Sequence, residues 1–197
     1  GGTPPPPGDE PLIRLVAAVP EELCDRDGVA LGVGVVPAGI AAARMLATER
    51  PEAVVFVGTA GAYGPAPEIG TVVVSRRIGL VSGTATLGHG YVPRAPAAVE
   101  ADPALRAALA LPEADVATLV AITTDPALAT RLGEQWQVEQ MEAFGVAAAC
   151  AAAGVPFAAV LGITNRVGPT AHAEWKANRD ACQRAAVGAV ARLVSGR

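Results

Sequence analysis

Short apolar runs alternate along this chain with longer Ala- and Leu-rich segments. The runs Leu12–Ala17, Val29–Val33, Ala53–Val57, Ile69–Ser75, Ile78–Ser82, Val116–Thr123 and Pro156–Thr164 predict strands. Pro37–Thr48, Pro103–Leu111, Pro126–Gly133, Met141–Ala153 and Asn178–Val194 predict helices, and Gly154 supplies a stop after the fourth. A further helix is predicted to begin at Val19-Pro20-Glu21-Glu22, with proline in its first turn. Most strand runs are apolar throughout, so both faces are buried. With helices between them, they predict a mostly parallel sheet covered on both sides. The expected architecture is a single α/β domain, with a mixed, twisted central sheet flanked by helices. Residues 1–10 (GGTPPPPGDE) predict a Pro/Gly-rich disordered or polyproline-like arm, and residues 11–197 the folded domain.

Composition narrows the function classes. The chain has 197 residues, 51% apolar and 17% charged, which suits one well-filled core and excludes disorder of the body. Its formal net charge is −4 and Lys/Arg never cluster, which argues against a nucleic-acid partner. No apolar run approaches the roughly 20 residues that span a bilayer, and a cytoplasmic location is expected. Cys24, Cys150 and Cys182 are odd in number and far apart, so they read as buried thiols. With only His89 and His172, a histidine-rich metal site is excluded.

Several familiar chemistries fail on spacing. In Gly32–Gly39 (GVGVVPAG) the third glycine of a dinucleotide fingerprint falls on Pro37. A P-loop needs Lys and Ser/Thr where Ile40 and Ala41 stand, and no G-x-S-x-G elbow exists. What remains is polar residues at the ends of apolar runs, where ligands of open α/β sheets bind. These are Ala18-Val19-Pro20-Glu21-Glu22, the small-residue turn Gly58-Thr59-Ala60-Gly61, Val138-Glu139-Gln140-Met141-Glu142, and Thr164-Asn165-Arg166. Small residues in such a turn let backbone N–H groups approach a ligand.

Five ordered segments, AVPEE, GVGVVPAGIAAA, VGTAGAYG, VEQMEAFG and GVPFAAVLGITNRVGP, resemble the purine nucleoside phosphorylase/nucleosidase superfamily between Leu12 and Val194. Within it the chain is most similar to the futalosine hydrolases and the methylthioadenosine/S-adenosylhomocysteine nucleosidases. The resemblance implies an N-glycosyl hydrolase acting on a small-molecule purine nucleoside, without metal or organic cofactor, in a homodimer or higher homo-oligomer. It implies that Glu22 activates water, that Met141 packs beneath the ribose while Glu142 binds its hydroxyls, and that Asn165 contacts purine N7. It also implies that Thr59, with Ala60 and Gly61, lies near the nucleophile, and that Thr123, Thr124 and Asp125 pass the base.

These residue types suit the chemistry. Breaking an N-glycosidic bond builds an oxocarbenium-like sugar, which one carboxylate stabilises while another takes a proton from water. An asparagine cannot transfer a proton to the leaving base, only donate an amide hydrogen bond, which favours a 6-oxopurine such as that of futalosine. Phosphorylases of the hexameric class carry an arginine where Phe56 stands, so water is the expected nucleophile. Alternatives are a methylthioadenosine/S-adenosylhomocysteine-type nucleosidase or a purine nucleoside phosphorylase. A third is a degenerate, non-catalytic nucleoside-binding protein, motivated by Leu161 in place of the family's arginine and by only nine residues between Glu22 and Gly32. His89 reads either as a wall of the 5′ side or as an exposed loop residue, Trp175 as a packed lid or core residue, and Arg166 as an ion-pair partner.

Overall fold

The computed structural model describes residues 13–194. The arm expected over residues 1–10 lies outside them. Strand β1 (Ile13–Ala17) leads through a short 3₁₀ turn (Pro20–Leu23) to β2 (Val29–Ala30) and helix α1 (Val35–Glu49). Then follow β3 (Ala53–Ala62), β4 (Val72–Leu80), α2 (Gly83–Thr86), β5 (Val99–Glu100) and α3 (Pro103–Leu109). The chain continues through β6 (Glu113–Thr118), α4 (Pro126–Gly133), β7 (Val138–Gln140), α5 (Ala143–Ala153), β8 (Phe157–Arg166) and α6 (Ala171–Val194).

The sheet is mixed, as expected, but less parallel than the alternating pattern predicts. β3 runs parallel to β1 and β8, and β4 parallel to β6, whereas β3–β7, β4–β8 and β4–β5 are antiparallel. Strands β3, β8, β4, β6 and β7 each bond to the next, and β7 returns to β3, so these five close into a ring. β1 and β2 extend it along the first half of β3. One apolar cluster joins one sheet face to α1 and α5 through Val54, Phe56, Leu161, Ala38, Ala42 and Val146. A second joins the other face to α3 and α6 through Val55, Val57, Leu105, Ala186 and Val190. Leu161 is wholly buried in the first cluster.

Several elements differ from expectation for local reasons. Gly58-Thr59-Ala60-Gly61 is strand rather than turn, because β8 pairs with β3 along its whole second half. The two runs 69–75 and 78–82 merge into β4, whose register shifts between Ser75 and Ile78. That irregularity lets the consecutive Arg76 and Arg77 both bond the buried Asp115 carboxylate. The helix expected from Pro20 is a single 3₁₀ turn ended by Cys24 in the left-handed region at φ 48°. Helix α6 starts at Ala171, well before Asn178, with the Glu174 carboxylate accepting from the Thr170 hydroxyl and the Arg166 N–H at its start. No described helix is long and apolar enough to cross a membrane.

Candidate active site

β3 changes neighbours midway along one edge. Its pairing with β1 ends at Phe56 and its pairing with β7 begins at Gly61. Between them the edge is open, the kind of switch point at which α/β sheets bind ligands. A cavity of about 800 Å³ lies there. Its wall includes Glu22, Thr59, Ala60, Gly61, Met141, Glu142 and Asn165, so the structure brings together seven of the ten expected site residues. Thr123, Thr124 and Asp125 are not among the lining residues. Thr123 is buried with its N–H bonded to Glu139, Thr124 and Asp125 are exposed, and Asp125 caps α4 by accepting from the Leu128 N–H at 2.7 Å.

Glu22 sits in the 3₁₀ turn with its side chain folded back over the end of β1. Its Oε2 accepts from the N–H groups of Ala18 (3.1 Å) and Val19 (3.4 Å), while Oε1 makes no bond among the described residues. Its backbone carbonyl accepts from Gln183 Nε2 on α6. Burial, reinforced by the nearby Glu142 charge and only partly offset by the two N–H bonds, pushes the Glu22 carboxyl up to about 7.

Glu142 is held from several sides. Its Oε1 accepts from the Gly34 N–H at 2.8 Å, across the gap between α1 and α5. Its own N–H donates to Gln140 Oε1, and the next free amide of α5, that of Phe144, donates to Thr118 Oγ1 at 3.0 Å. Gly34 makes the first bond possible. It adopts φ 93°, ψ 154° at the start of α1, a conformation essentially reserved for glycine. The glycines of GVGVVPAG thus shape a carboxylate anchor, and Pro37 fits because the first-turn N–H groups of a helix need no helical partner. Burial raises the Glu142 carboxyl, and the Gly34 N–H opposes the shift.

Asn165 is seated by a register slip. Ala60 pairs with Ile163 and Gly61 with Asn165, leaving Thr164 as the extra residue. The Thr164 hydroxyl donates to Asn165 Oδ1 at 2.8 Å, and Asn165 Nδ2 donates to the Arg166 carbonyl at 3.1 Å. A Cβ on Gly61 would meet Asn165 Nδ2 at 2.7 Å, so only glycine leaves the amide its place. Arg166 itself makes no side-chain ion pair among the described residues; its guanidinium donates to the carbonyls of Gly64, Pro65 and Pro67.

Residues of α6 complete the cavity, and of these sequence reasoning singles out Trp175 alone, as a packed lid or core residue. His172, Arg179 and Gln183 line it from one face of α6. So does Trp175, which stacks on the His172 ring at 5.8 Å, lies under the Arg179 guanidinium at 5.0 Å and donates to Thr59 Oγ1 at 3.3 Å. Their spacing of three or four residues is the available signal, hidden by the late helix start. In the sequence Glu139 stands out only as an acid preceding a helix, yet it lines the cavity. His89 is exposed and outside the lining.

A sheet closing partly on itself, with the half-buried Glu22 and buried Glu142 carboxylates and the Asn165 amide at the edge where β3 changes partners, is the site arrangement of an enzyme acting on a small molecule. A sequence profile of the phosphorylase superfamily matches residues 26–196, and the chain belongs to that family. This bears out the resemblance carried by the five segments, although Glu22 precedes the matched stretch. The chain is 35% identical over 144 residues to the futalosine hydrolase of Streptomyces coelicolor, covering 64% of this chain and 60% of that protein. It is 26% identical over 162 residues to the 5′-methylthioadenosine/S-adenosylhomocysteine nucleosidase of Chromohalobacter salexigens, covering 74% of this chain and 69% of that protein. Among solved structures, a futalosine hydrolase mutant of Helicobacter pylori superposes with a TM-score of 0.82 at 18% identity, over 94% of this chain and 99% of its own. A mutant of the Helicobacter pylori nucleosidase MTAN with 5′-methylthioadenosine in its active site gives 0.83 at 18% identity, over 95% and 100%. These likenesses bear out the fold.

Proposed function

We propose that this protein hydrolyses the N-glycosidic bond of a purine nucleoside with a 6-oxo base, of which futalosine is an example, and releases the free base. The observation that carries the reading is the pair of carboxylates, half-buried Glu22 and buried Glu142, on one cavity with Asn165. Glu142, fixed by Gly34, binds the ribose hydroxyls, and Met141 packs beneath the sugar. As the glycosidic bond lengthens, positive charge develops on the ribose and the carboxylates around it stabilise that charge. Glu22 Oε1 accepts a proton from the attacking water, a role suited to a group poised near neutrality. The Asn165 amide donates to N7 of the leaving base as electron density collects there.

Water is favoured over phosphate by the surroundings. Phe56 lines the cavity where a phosphate site would need a cation, and the lining carboxylates Glu21, Glu22, Glu139, Glu142 and Asp180 outnumber the guanidiniums of Arg179 and Arg184. In the same reading the protein works in the cytoplasm as a homodimer or higher homo-oligomer. Val33, which lines the cavity, and Val36 and Ile40 on α1 are 58%, 64% and 60% exposed and form an apolar stripe that a second copy would cover.

The test is chromatography of free base released from futalosine, inosine and methylthioadenosine, each with and without phosphate. Hypoxanthine release independent of phosphate is expected. Adenine release would move the activity to the 6-amino branch, and release only with phosphate would make it a phosphorylase. Binding of base without any turnover would make the protein a nucleoside-binding relic.

A further inference from the structure

The wall of the cavity formed by β7 holds a carboxylate that the hydrolysis above does not use. Glu139 is 7% exposed and lines the cavity. Its register partner on β3 is Gly61, and the partner of Gly61 on the other side is Asn165. Residues at one register position on adjacent strands present their side chains to the same face. Glu139 and Asn165 therefore flank a position that carries no side chain, with two strand spacings, about 10 Å, between their backbones. Leu119, Ala121 and Ile122 add apolar wall to the same cavity. A slot with an amide at one edge, a carboxylate at the other and apolar walls suits a planar heterocycle with polar edges.

The carboxylate is held but not saturated. The Tyr63 hydroxyl donates to Oε2 at 2.5 Å and the Thr123 N–H to Oε1 at 3.0 Å. Each carboxylate oxygen has a second lone pair, so a further donor can be accepted from the cavity. Burial raises the Glu139 carboxyl above its ordinary value, and the bonds from Tyr63 and Thr123 oppose that shift by favouring the ionised form. An ionised carboxylate accepts only. A 6-oxopurine offers it a donor at N1–H, whereas a 6-aminopurine turns a bare acceptor at N1 toward the same group.

We propose that Glu139 is a specificity-determining residue that accepts the N1–H of a 6-oxopurine whose N7 edge faces Asn165. The inference rests on the proposed nucleoside-cleaving reading for the orientation of the base, but its test does not require turnover. Binding of hypoxanthine and of adenine is measured by calorimetry for the unmodified protein and for Glu139→Gln. Glutamine keeps an acceptor for the Thr123 N–H and replaces the other carboxylate oxygen with a donor.

The hypoxanthine-to-adenine affinity ratio is expected to fall about 10- to 100-fold in the variant, the span of one charge-assisted hydrogen bond. An equal loss for both bases would mean that Glu139 only props the segment around Thr123, and would overturn the proposal. So would failure of the unmodified protein to bind either base. Should the variant not fold, 1-methylhypoxanthine decides the matter on the unmodified protein. Weaker binding than hypoxanthine is expected, and equal binding overturns the proposal. If Glu139 controls the ratio but no nucleoside is cleaved, the hydrolase reading falls and the specificity role stands. If base is released but the ratio does not change, the specificity role falls and the hydrolase reading stands.

Discussion

Replacing Glu22 by glutamine should abolish activity and stabilise the fold in one step. The carboxyl is pushed from 4.5 up to about 7 by burial and by Glu142. Its folded-state proton affinity therefore exceeds that of the unfolded chain. The stabilising contribution of the protonated form is complete below the unfolded value and is lost as pH rises through the folded one. Each unit is worth about 1.4 kcal/mol, so by neutrality the ionised carboxylate costs about 3 kcal/mol relative to a neutral side chain of the same shape. Glutamine keeps an acceptor for the Ala18 and Val19 N–H groups without that charge.

Glu22→Gln should thus melt higher than the unmodified protein by about 6–12 °C near pH 8, and by almost nothing near pH 4. Base release should fall at least about 100-fold, since glutamine cannot accept the proton of water. In the unmodified protein, base release should rise with pH through about 7 as Glu22 ionises. Thermal melts across this range, paired with the chromatographic assay, read both effects. A variant that melts no higher near pH 8, or whose advantage does not shrink on acidification, would refute the electrostatic account of the site. Retained hydrolysis would refute the assignment of Glu22 as base.

Two glycines give further tests. Gly61→Ala places a Cβ 2.7 Å from Asn165 Nδ2 and 3.0 Å from Val167 Cγ2, so the amide must move. A displacement on this scale is expected to cut base release about 100-fold and to raise KM, with only a small change in the thermal midpoint. Gly34→Ala forces a side chain into φ 93°, ψ 154° and should cost about 1–3 kcal/mol in urea unfolding. It should also weaken ribose binding, seen as raised KM, because the Glu142 anchor moves with the strained turn.

The legible parts of the chain are those that carry a strong local signal. α4 begins and ends as expected because Asp125-Pro126 supplies a cap and a first-turn proline. The fully apolar starts of β3 and β8 are equally clear, and in β1 only Arg14 interrupts the apolar run. The closing of five strands into a ring is not legible, since it depends on β7, three residues long, meeting the end of β3 in antiparallel register. Gly58–Gly61 has the composition of a turn, and only the neighbouring β8 makes it strand. In α6 the opening Ala171–Ala177 mixes polar and small residues without an apolar period, which conceals the helix start and the cavity role of His172. Within the cavity, the residues carried by sharp motifs (Glu22, Met141, Glu142 and Asn165) meet as expected. Thr124 and Asp125, assigned by their place in the chain order, lie elsewhere because the local demand of capping α4 claims Asp125. Glu139 stays hidden because its significance is a register relation to Gly61 and Asn165, which no local pattern encodes.

The central claim is that this cavity directs water to the anomeric carbon of a purine nucleoside. The most direct measurement is turnover of futalosine in water enriched in heavy oxygen, with phosphate present, followed by mass spectrometry of the released sugar product. The account predicts one heavy oxygen at the anomeric position and no sugar 1-phosphate. A sugar 1-phosphate, or no cleavage of futalosine, inosine or methylthioadenosine under these conditions, would contradict it.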